Sequence, residues 1–261
     1  APATIARLLA PVRKTPQTKG RYTTRPGSLL KKNLPIRTYS EWDDTTPGFF
    51  EVDFVSHDGG QSRGDFIQSL NFTDIATGWD EMVAVKNKAQ RWVFEGIKEI
   101  RDRLPFPILG FDSDNGSEFI NELLYRYCVE DHITFTRSRP YQKNDQAHVE
   151  QKNWSVVRHT VGYARLESDA ELALLTSIYA DLRLYINFFQ PVLKLVFKGR
   201  VDGKFIKTYD QASTPYQRIM TRKDIPLETK ARFTDLYVRL NPVALRNSID
   251  RKVDQLWKLS K

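Results

Sequence analysis

The stretch LGFDSDNGSEF, Leu109–Phe119, raises the central question about this 261-residue chain. The apolar run that ends at Phe111 is typical of a buried strand, and Asn115-Gly116 is typical of a sharp turn directly after a strand. Asp112 and Asp114 therefore lie at the open end of a core strand. A turn accounts for one aspartate there, and the second one calls for a chemical explanation.

The residues around this strand predict a mixed α/β sheet. Three strands follow one another from FFEVDFVSH onward with short connections, which predicts an antiparallel meander. After them, apolar spacing and end signals alternate between helix and strand. The predicted elements are a helix over Ala89–Leu104, the strand ending at Asp112, a helix over about Glu118–Glu130, the strand HITFTRS, a long helix over about Gln146–Tyr163, and a helix that Ser168 and Glu171 cap. The order βββαβαβαα predicts a five-stranded mixed sheet with helices on its faces.

The chain divides into three predicted parts. Residues 1–44 are rich in Pro, Gly and cations and predict a basic extended arm. Residues 45–190 form the α/β core. Residues 191–261 predict a small C-terminal region, in which a hairpin turns at Val201-Asp202-Gly203 and two helices follow, the second with Asn241 as N-cap and Pro242 after it.

Charge and cysteine content limit the class of protein. The net charge is +8, and residues 1–40 contain nine Lys or Arg and no Asp or Glu. Such a segment favours binding to polyanions, nucleic acid first, and the alternative is a solvated tail. The lone Cys128 excludes an internal disulfide and a cysteine zinc cluster, which favours an intracellular compartment. No apolar run approaches the roughly 18 residues of a membrane span, so no membrane partner is expected.

Three carboxylates form the candidate site. Asp53 lies in the middle of the first strand, Asp114 lies just past the strand end, and Glu150 lies early on the long helix, 35 residues after Asp114. Converging carboxylates resist ionisation unless a cation is present, and Mg²⁺ prefers such oxygen ligands. Two ions about 4 Å apart can activate an attacking oxygen and stabilise a leaving one.

The long helix carries two further expectations. Glu150, Trp154 and Val157 share one largely apolar face, so we expect Glu150 to point toward the sheet rather than toward water. Trp92 and Trp154 are expected to pack between helix and sheet in the core.

The spacing of these acids resembles a known catalytic core. Asp53, the run Ser113–Phe119 and Glu150 after 35 residues resemble the DDE core of retroviral-type integrases and bacterial insertion-sequence transposases. SRPYQKNDQAHVEQKN is similar to the loop before the glutamate helix in that family, and YINFFQP and TPYQRI resemble segments downstream of the core in bacterial relatives. The resemblance covers about residues 45–220.

The resemblance implies a fold, a site and a reaction. The fold is ribonuclease H-like, and Asp53, Asp114 and Glu150 hold two Mg²⁺ or Mn²⁺ ions. Water cleaves a phosphodiester at the end of a mobile element, and the freed 3′-hydroxyl then attacks target DNA. Joining two ends requires two active sites, so a homodimer or tetramer on DNA is expected. A cytoplasmic, nucleoid-associated protein of a prokaryote is implied.

The sequence also departs from the family. No cysteine precedes Cys128 and the first histidine is His57, so the His-His-Cys-Cys zinc module of retroviral integrases is not matched. Residues 1–48 lack the length and apolar periodicity of the helix-turn-helix domain of bacterial relatives. The chain is thus either part of a longer transposase or recognises DNA in another way.

Several residues near the triad have two interpretations. Asp112 lies two residues from Asp114, and the motif favours Asp114. Glu51 shares a strand face with Asp53, and we expect a salt bridge there rather than a metal ligand. Asn115 is expected to support the ligands, and Glu118 either does so or is a first-turn helix acid.

Basic and aromatic residues around Glu150 are candidate DNA contacts, since phosphate binding needs Lys or Arg without further geometry. An ordinary solvated surface is the alternative for the cations, and Tyr141 either stacks on an unpaired base or packs the loop. The candidates are Arg137, Arg139, Tyr141, Lys143, Lys152 and Arg158.

Three functions remain in competition at this point. The first is a metal-dependent DNA transposase or integrase. The second is a nuclease of the same fold that cleaves without joining, and the third is a catalytically silent DNA-binding or assembly protein. The complete acid triad argues against the third.

Overall fold

The computed structural model describes residues 45–114, 116, 118–119, 121–138, 146–201 and 204–260. The predicted arm over residues 1–44 lies outside these ranges. So do the site candidates Asn115, Arg139, Tyr141 and Lys143, and the turn residues Asp202 and Gly203.

A five-stranded sheet forms the centre of the fold. Its strands are β1 (Phe49–Ser56), β2 (Gln68–Asp74), β3 (Asp80–Val85), β4 (Gly110–Ser113) and β5 (Thr134–Arg137). Their order across the sheet is β3-β2-β1-β4-β5. Strands β1, β2 and β3 pair antiparallel, whereas β4 is parallel to β1 and β5 is parallel to β4. The predicted meander and mixed sheet are confirmed, and this arrangement is the ribonuclease H-like one.

The two faces of the sheet differ in polarity because side chains alternate along each strand. Phe50 and Val52 point to an apolar face, where the ring of Phe50 lies 5.8 Å from that of Phe72. Glu51 and Asp53 point to the opposite face of β1. One face of the sheet therefore packs in the hydrophobic core, and the other presents carboxylates to the helices that cover it.

Helices cover both faces of the sheet. They are α1 (Gln90–Arg103), α2 (Glu122–Glu130), α3 (Ala147–Lys152), a π-helical segment (Asn153–Arg158), α4 (His159–Val161) and α5 (Asp169–Phe189). Helix α2 begins later than predicted, because the Asn121 side chain accepts a hydrogen bond from the N–H of Leu124 and so caps the helix there. Glu118 consequently precedes the helix, and its interpretation as a first-turn acid is wrong.

The predicted long helix is present, with a π-helical middle. Helix α3, the π-helical segment and α4 run consecutively over Ala147–Val161, called the glutamate helix below, and it ends at Gly162, whose φ is 81°. A π-helix has more residues per turn, so adjacent residues can both face inward. Lys152 and Asn153 are both buried, as are Val156 and Val157.

The predicted orientation of this helix is wrong in two places. Glu150 is exposed, and Trp154 has 57 % of its surface accessible. The inward-facing positions are taken by the adjacent pairs that the π geometry turns toward the sheet. Trp92 is partly buried against the core, as predicted.

The C-terminal part of the chain contains one more helix than predicted. Strands β6 (Leu195–Val201) and β7 (Lys204–Tyr209) form the predicted hairpin. Three helices follow in the described residues, α6 (Pro215–Thr221), α7 (Leu227–Arg239) and α8 (Pro242–Leu259). The additional one is α6, whose start is fixed by a capping box of Thr214 and Gln217. Asn241 caps α8 as predicted.

Helix α5 meets the length and composition of a membrane span. In this fold its apolar residues Leu175, Ile178 and Leu182 belong to a buried cluster, which also contains Ile249 and Leu256 of α8. The helix therefore packs as a core element between sheet and C-terminus.

Candidate active site

Strand register places Asp53 and Asp114 side by side. In the parallel β1–β4 pair, Val52 lies opposite Ser113, so the next residue of each chain segment is an aspartate. Both aspartates are half-buried. An Asp114 carboxylate oxygen, Oδ1, accepts a hydrogen bond from the N–H of Gly116 at 2.8 Å. Strand register therefore brings a mid-strand aspartate next to an aspartate at a strand end.

Asn153 fixes the glutamate helix against Asp53. Its Nδ2 donates to Asp53 Oδ2 at 2.8 Å, and its Oδ1 accepts from Asn71 Nδ2 at 3.0 Å. Asn71 lies opposite Asp53 in the β1–β2 pair. One side chain, three residues after Glu150, therefore holds the helix, β1 and β2 together at the candidate site.

Glu51 anchors the start of the same helix. Its Oε2 accepts hydrogen bonds from the backbone N–H groups of His148 at 2.8 Å and Val149 at 3.0 Å. Free N–H groups at a helix start favour a carboxylate, through hydrogen bonds and through the helix dipole. Glu51 thus positions the residues directly before Glu150, and its predicted salt bridge stays a prediction.

The carboxylates lie close enough to affect one another. The pKa of Asp53 is raised to about 7, first by burial and then by the negative charge of Asp114, with a further contribution from Glu150. The N–H of Phe54 and the charge of Lys88 act in the opposite direction. The ionised form of Asp53 is therefore disfavoured without an added cation, as expected for a site that binds one.

The three candidate carboxylates have the ligand chemistry that a hard divalent cation prefers. Within the described ranges, no group of three or more His, Cys, Asp or Glu side chains stands in the arrangement of a formed metal site. Asp53, Asp114 and Glu150 offer only carboxylate oxygens, which Mg²⁺ and Mn²⁺ prefer. A bound cation would offset the burial of Asp53 and the negative charge of Asp114, which together raise the pKa of Asp53.

Asp112 has a different environment from Asp114. It is fully buried, and its Oδ1 accepts a hydrogen bond from Thr136 Oγ1 on β5 at 2.7 Å. Asp114 instead lies past the last residue of β4. This placement favours Asp114 as the site residue.

The loop after Asp114 is tightly packed. A Cβ on Gly116 would lie 2.6 Å from the Glu118 carboxylate and 2.8 Å from Asp114 Oδ1, so a larger residue there would displace both carboxylates. Glu118 is buried and pairs with Lys88, Nζ to Oε1, at 2.6 Å. Because Lys88 also lowers the pKa of Asp53, Glu118 supports the acid site through this lysine.

Lys152 and Arg158, two of the predicted DNA contacts, have interaction partners within the fold. Lys152 is 8 % exposed, and its charge lowers the pKa of the buried Asp80. The Arg158 guanidinium donates to the carbonyl oxygens of Ser56 and Gly162. The π-helical geometry turns Lys152 inward, which argues against its predicted DNA contact. Arg158 is half-buried, and its DNA contact stays a prediction.

Arg137 remains a candidate contact. It is the last residue of β5 and lies opposite Ser113, the residue before Asp114. It is half-buried.

The sequence reasoning missed the roles of two side chains at the candidate site. Asn153 and Glu51 act through partners that lie 100 and 97 positions away in the chain. The only available signal was the closeness of Asn153 to Glu150 on the helix. Their roles depend on strand register and helix docking, which residue spacing does not specify.

Comparison with known proteins gives a partial match. No protein-family model matches the chain. The chain is 42 % identical over 216 residues to the uncharacterized protein y4rM of Sinorhizobium fredii (strain NBRC 101917 / NGR234). The match covers 83 % of this chain and 62 % of that protein, so the chain spans less than two thirds of its relative.

Among solved structures, three retroviral proteins are similar at low identity. The simian T-cell lymphotropic virus intasome in complex with PP2A regulatory subunit B56 gamma gives a TM-score of 0.48 at 14 % identity, over 80 % of this chain and 63 % of that one. The HTLV-2 integrase catalytic core domain in complex with magnesium gives a TM-score of 0.44 at 14 % identity, over 57 % of this chain and 93 % of that one. The BIV integrase catalytic core domain gives a TM-score of 0.41 at 16 % identity, over 72 % of this chain and 98 % of that one.

Proposed function

We propose that this chain carries the catalytic core of a metal-dependent DNA transposase or integrase. The observation that supports the proposal is the placement of Asp53 beside Asp114, where the charges of Asp114 and Glu150 both raise the pKa of Asp53. Strand register puts Asp53 beside Asp114, and the Asn153–Asp53 hydrogen bond holds the Glu150 helix against them. This arrangement is compatible with the DDE pattern that the sequence resembles.

Each residue of the site has a proposed task. Asp53, Asp114 and Glu150 hold Mg²⁺ or Mn²⁺, in a site for two ions. When bound, such ions activate an attacking oxygen and stabilise the leaving oxygen of a phosphodiester. Asn153 orients the Asp53 carboxylate, and Glu51 fixes the first turn of the glutamate helix.

The proposed reaction consists of two displacements at phosphorus. In the first, a water oxygen bonds to phosphorus at the element end, and the bond to the 3′-oxygen breaks to leave a 3′-hydroxyl. In the second, that hydroxyl oxygen bonds to a phosphorus of target DNA, and the 3′-oxygen of the target strand leaves. Both steps need a carboxylate-lined site that is open to a large substrate, and the exposure of Glu150 is compatible with this.

The proposed partners are DNA and further copies of the chain. Two element ends must be joined together, so a dimer or tetramer on DNA follows from the reaction. The chain spans 62 % of its relative's length. Recognition of the element ends is therefore proposed for the whole protein rather than for this chain alone. The expected place of action is the nucleoid of a prokaryotic cell.

Nicking and joining on supercoiled plasmid test the proposal. The wild type, Asp53→Asn and Glu150→Gln are compared in Mn²⁺ and in EDTA. Glu122→Gln serves as a matched control, because Glu122 is an exposed carboxylate on α2. We expect nicking and joining that require Mn²⁺, are lost in both site variants and persist in the control.

Two outcomes would replace the proposal. Metal-dependent nicking without any joined product would indicate a nuclease. DNA binding without cleavage, equal in Mn²⁺ and EDTA, would indicate a binding or assembly protein.

A further inference from the structure

A second feature of the molecule lies outside the acid site. Strands β6 and β7, called the ribbon below, form a two-stranded sheet of their own. Almost all of its described side chains are exposed, including Phe197 (56 %) and Phe205 (63 %). An isolated two-stranded ribbon is marginally stable at best. Exposed aromatic rings on such a ribbon need a partner or a specific use.

The pairing register sorts the ribbon's side chains onto two faces. Lys198 lies opposite Lys207, and Arg200 lies opposite Phe205. These four residues share one face, because the Lys198 ammonium and the Arg200 guanidinium lie 5.2 and 5.5 Å from the centre of the Phe205 ring. We call this the basic face.

The composition of the basic face favours a polyanion. Like charges directly opposite each other on paired strands are destabilising, yet Lys198 and Lys207 occupy such a pair. The described ribbon residues, 195–201 and 204–209, contain no Asp or Glu. A partner that carries closely spaced negative charges would relieve this repulsion. A second copy of the same ribbon would increase it.

The ribbon is rooted at the end of the sheet opposite the acids. Lys194, directly before β6, donates from Nζ to the carbonyl of Ala76 at 2.6 Å. Ala76 follows β2 beside the start of β1, where the N–H of Ile75 donates to the Phe49 carbonyl. Asp114 lies past the far end of β4, which runs parallel to β1. The basic face is therefore separate from the catalytic carboxylates.

We propose that the basic face of the ribbon binds the sugar-phosphate backbone of duplex DNA, at a place distinct from the DNA bound at the acids. The choice of DNA among polyanions rests on the proposed function. A two-stranded β-ribbon has the width that the major groove of B-DNA admits. Lys198, Arg200 and Lys207 contact phosphates, and Phe205 packs against sugars.

Binding of a labelled 30-base-pair duplex, followed by fluorescence anisotropy in EDTA over a range of salt, tests this proposal. The test variant is Lys198→Gln/Arg200→Gln/Lys207→Gln. The control Lys98→Gln/Arg126→Gln/Lys258→Gln removes the same number of exposed cations elsewhere. We expect the test variant to bind at least tenfold more weakly. Its slope of log K against log salt should be smaller by about 2 to 3, since each phosphate contact contributes roughly 0.9. The control should change less than twofold.

Equal binding by the two triple variants would overturn the proposal. A change of oligomeric state by light scattering, with DNA binding intact, would overturn it in favour of a contact between copies. The variant should fold, because it removes a repulsive pair, and thermal unfolding checks this.

Because EDTA prevents metal-dependent cleavage, the result is independent of catalysis. If Asp53→Asn nicks plasmid like the wild type while the ribbon variant fails to bind, the catalytic proposal falls and the ribbon proposal stands.

Discussion

Replacing Glu51 tests how the fold holds the catalytic helix. Glu51→Ala removes the acceptor of two N–H groups at the helix start, those of His148 and Val149. His148 is exposed, so water can replace its bond, whereas Val149 is fully buried and its N–H would stay without an acceptor. A lost charge-assisted bond together with a buried unsatisfied donor gives a decrease of about 2 to 3 kcal/mol in the free energy of unfolding.

Glu51→Gln is the matched variant. Both bonds end on one carboxylate oxygen, Oε2, so the amide oxygen of Gln can accept both. The interaction of the charge with the helix dipole is lost, about 1 kcal/mol.

Urea unfolding and the rate of strand joining give the two readouts for this pair. We expect joining to fall more than tenfold in Glu51→Ala and less than threefold in Glu51→Gln, because the first turn holds the position of Glu150. Equal stability of Glu51→Ala and wild type, or equal damage in both variants, would refute the anchoring role.

Three further predictions follow from the contacts. Asn153→Ala should lower joining at least tenfold and raise the Mn²⁺ concentration needed for half-maximal rate, since it frees Asp53; an unchanged metal requirement would contradict this. Burial raises the Asp80 pKa to about 6, so the folded state holds its proton more tightly than the unfolded state does, and stability should fall by roughly 2 to 3 kcal/mol as pH rises from about 4 to 6. In urea titrations, Asp80→Asn should flatten that decline, and an unaltered slope would refute the assignment. Trp154→Ala should decrease stability by about 1 kcal/mol or less, whereas Trp79→Ala, which empties a buried position, should cost about 3 to 5 kcal/mol in the same assay.

The sheet was predictable from the sequence because local patterns determine it. Alternation in FFEVDFVSH, short turns and the buried run before Asp112 indicate an antiparallel meander and a further core strand, and the observed mixed sheet agrees, with β4 paired to β1. The strands depend on side-chain polarity and chain connectivity, both of which are visible in the sequence. The pairing of Asp53 with Asp114 depends also on the register of the parallel β1–β4 pair, in which Val52 lies opposite Ser113.

The predictions that were wrong concern helix orientation, side-chain burial and a helix start, which depend on three-dimensional packing. An ideal α-helix puts Glu150, Trp154 and Val157 on one face, but the π-helical segment shifts the register so that Val157 is buried and Trp154 exposed. Lys152 looked like a surface cation and is instead buried near Asp80. Helix α2 starts after the Asn121 cap rather than at about Glu118, the predicted start.

The central claim is that Asp114, rather than its neighbour Asp112, completes a carboxylate site for strand transfer. The most direct test is joining of a labelled duplex with a free 3′-hydroxyl to supercoiled plasmid in Mn²⁺, by the wild type, Asp114→Asn and Asp112→Asn. Asparagine at position 112 keeps an oxygen for the Thr136 hydroxyl, so this variant should fold and join. We predict joined product for wild type and Asp112→Asn, and none for Asp114→Asn. Wild-type joining by a folded Asp114→Asn would contradict the claim.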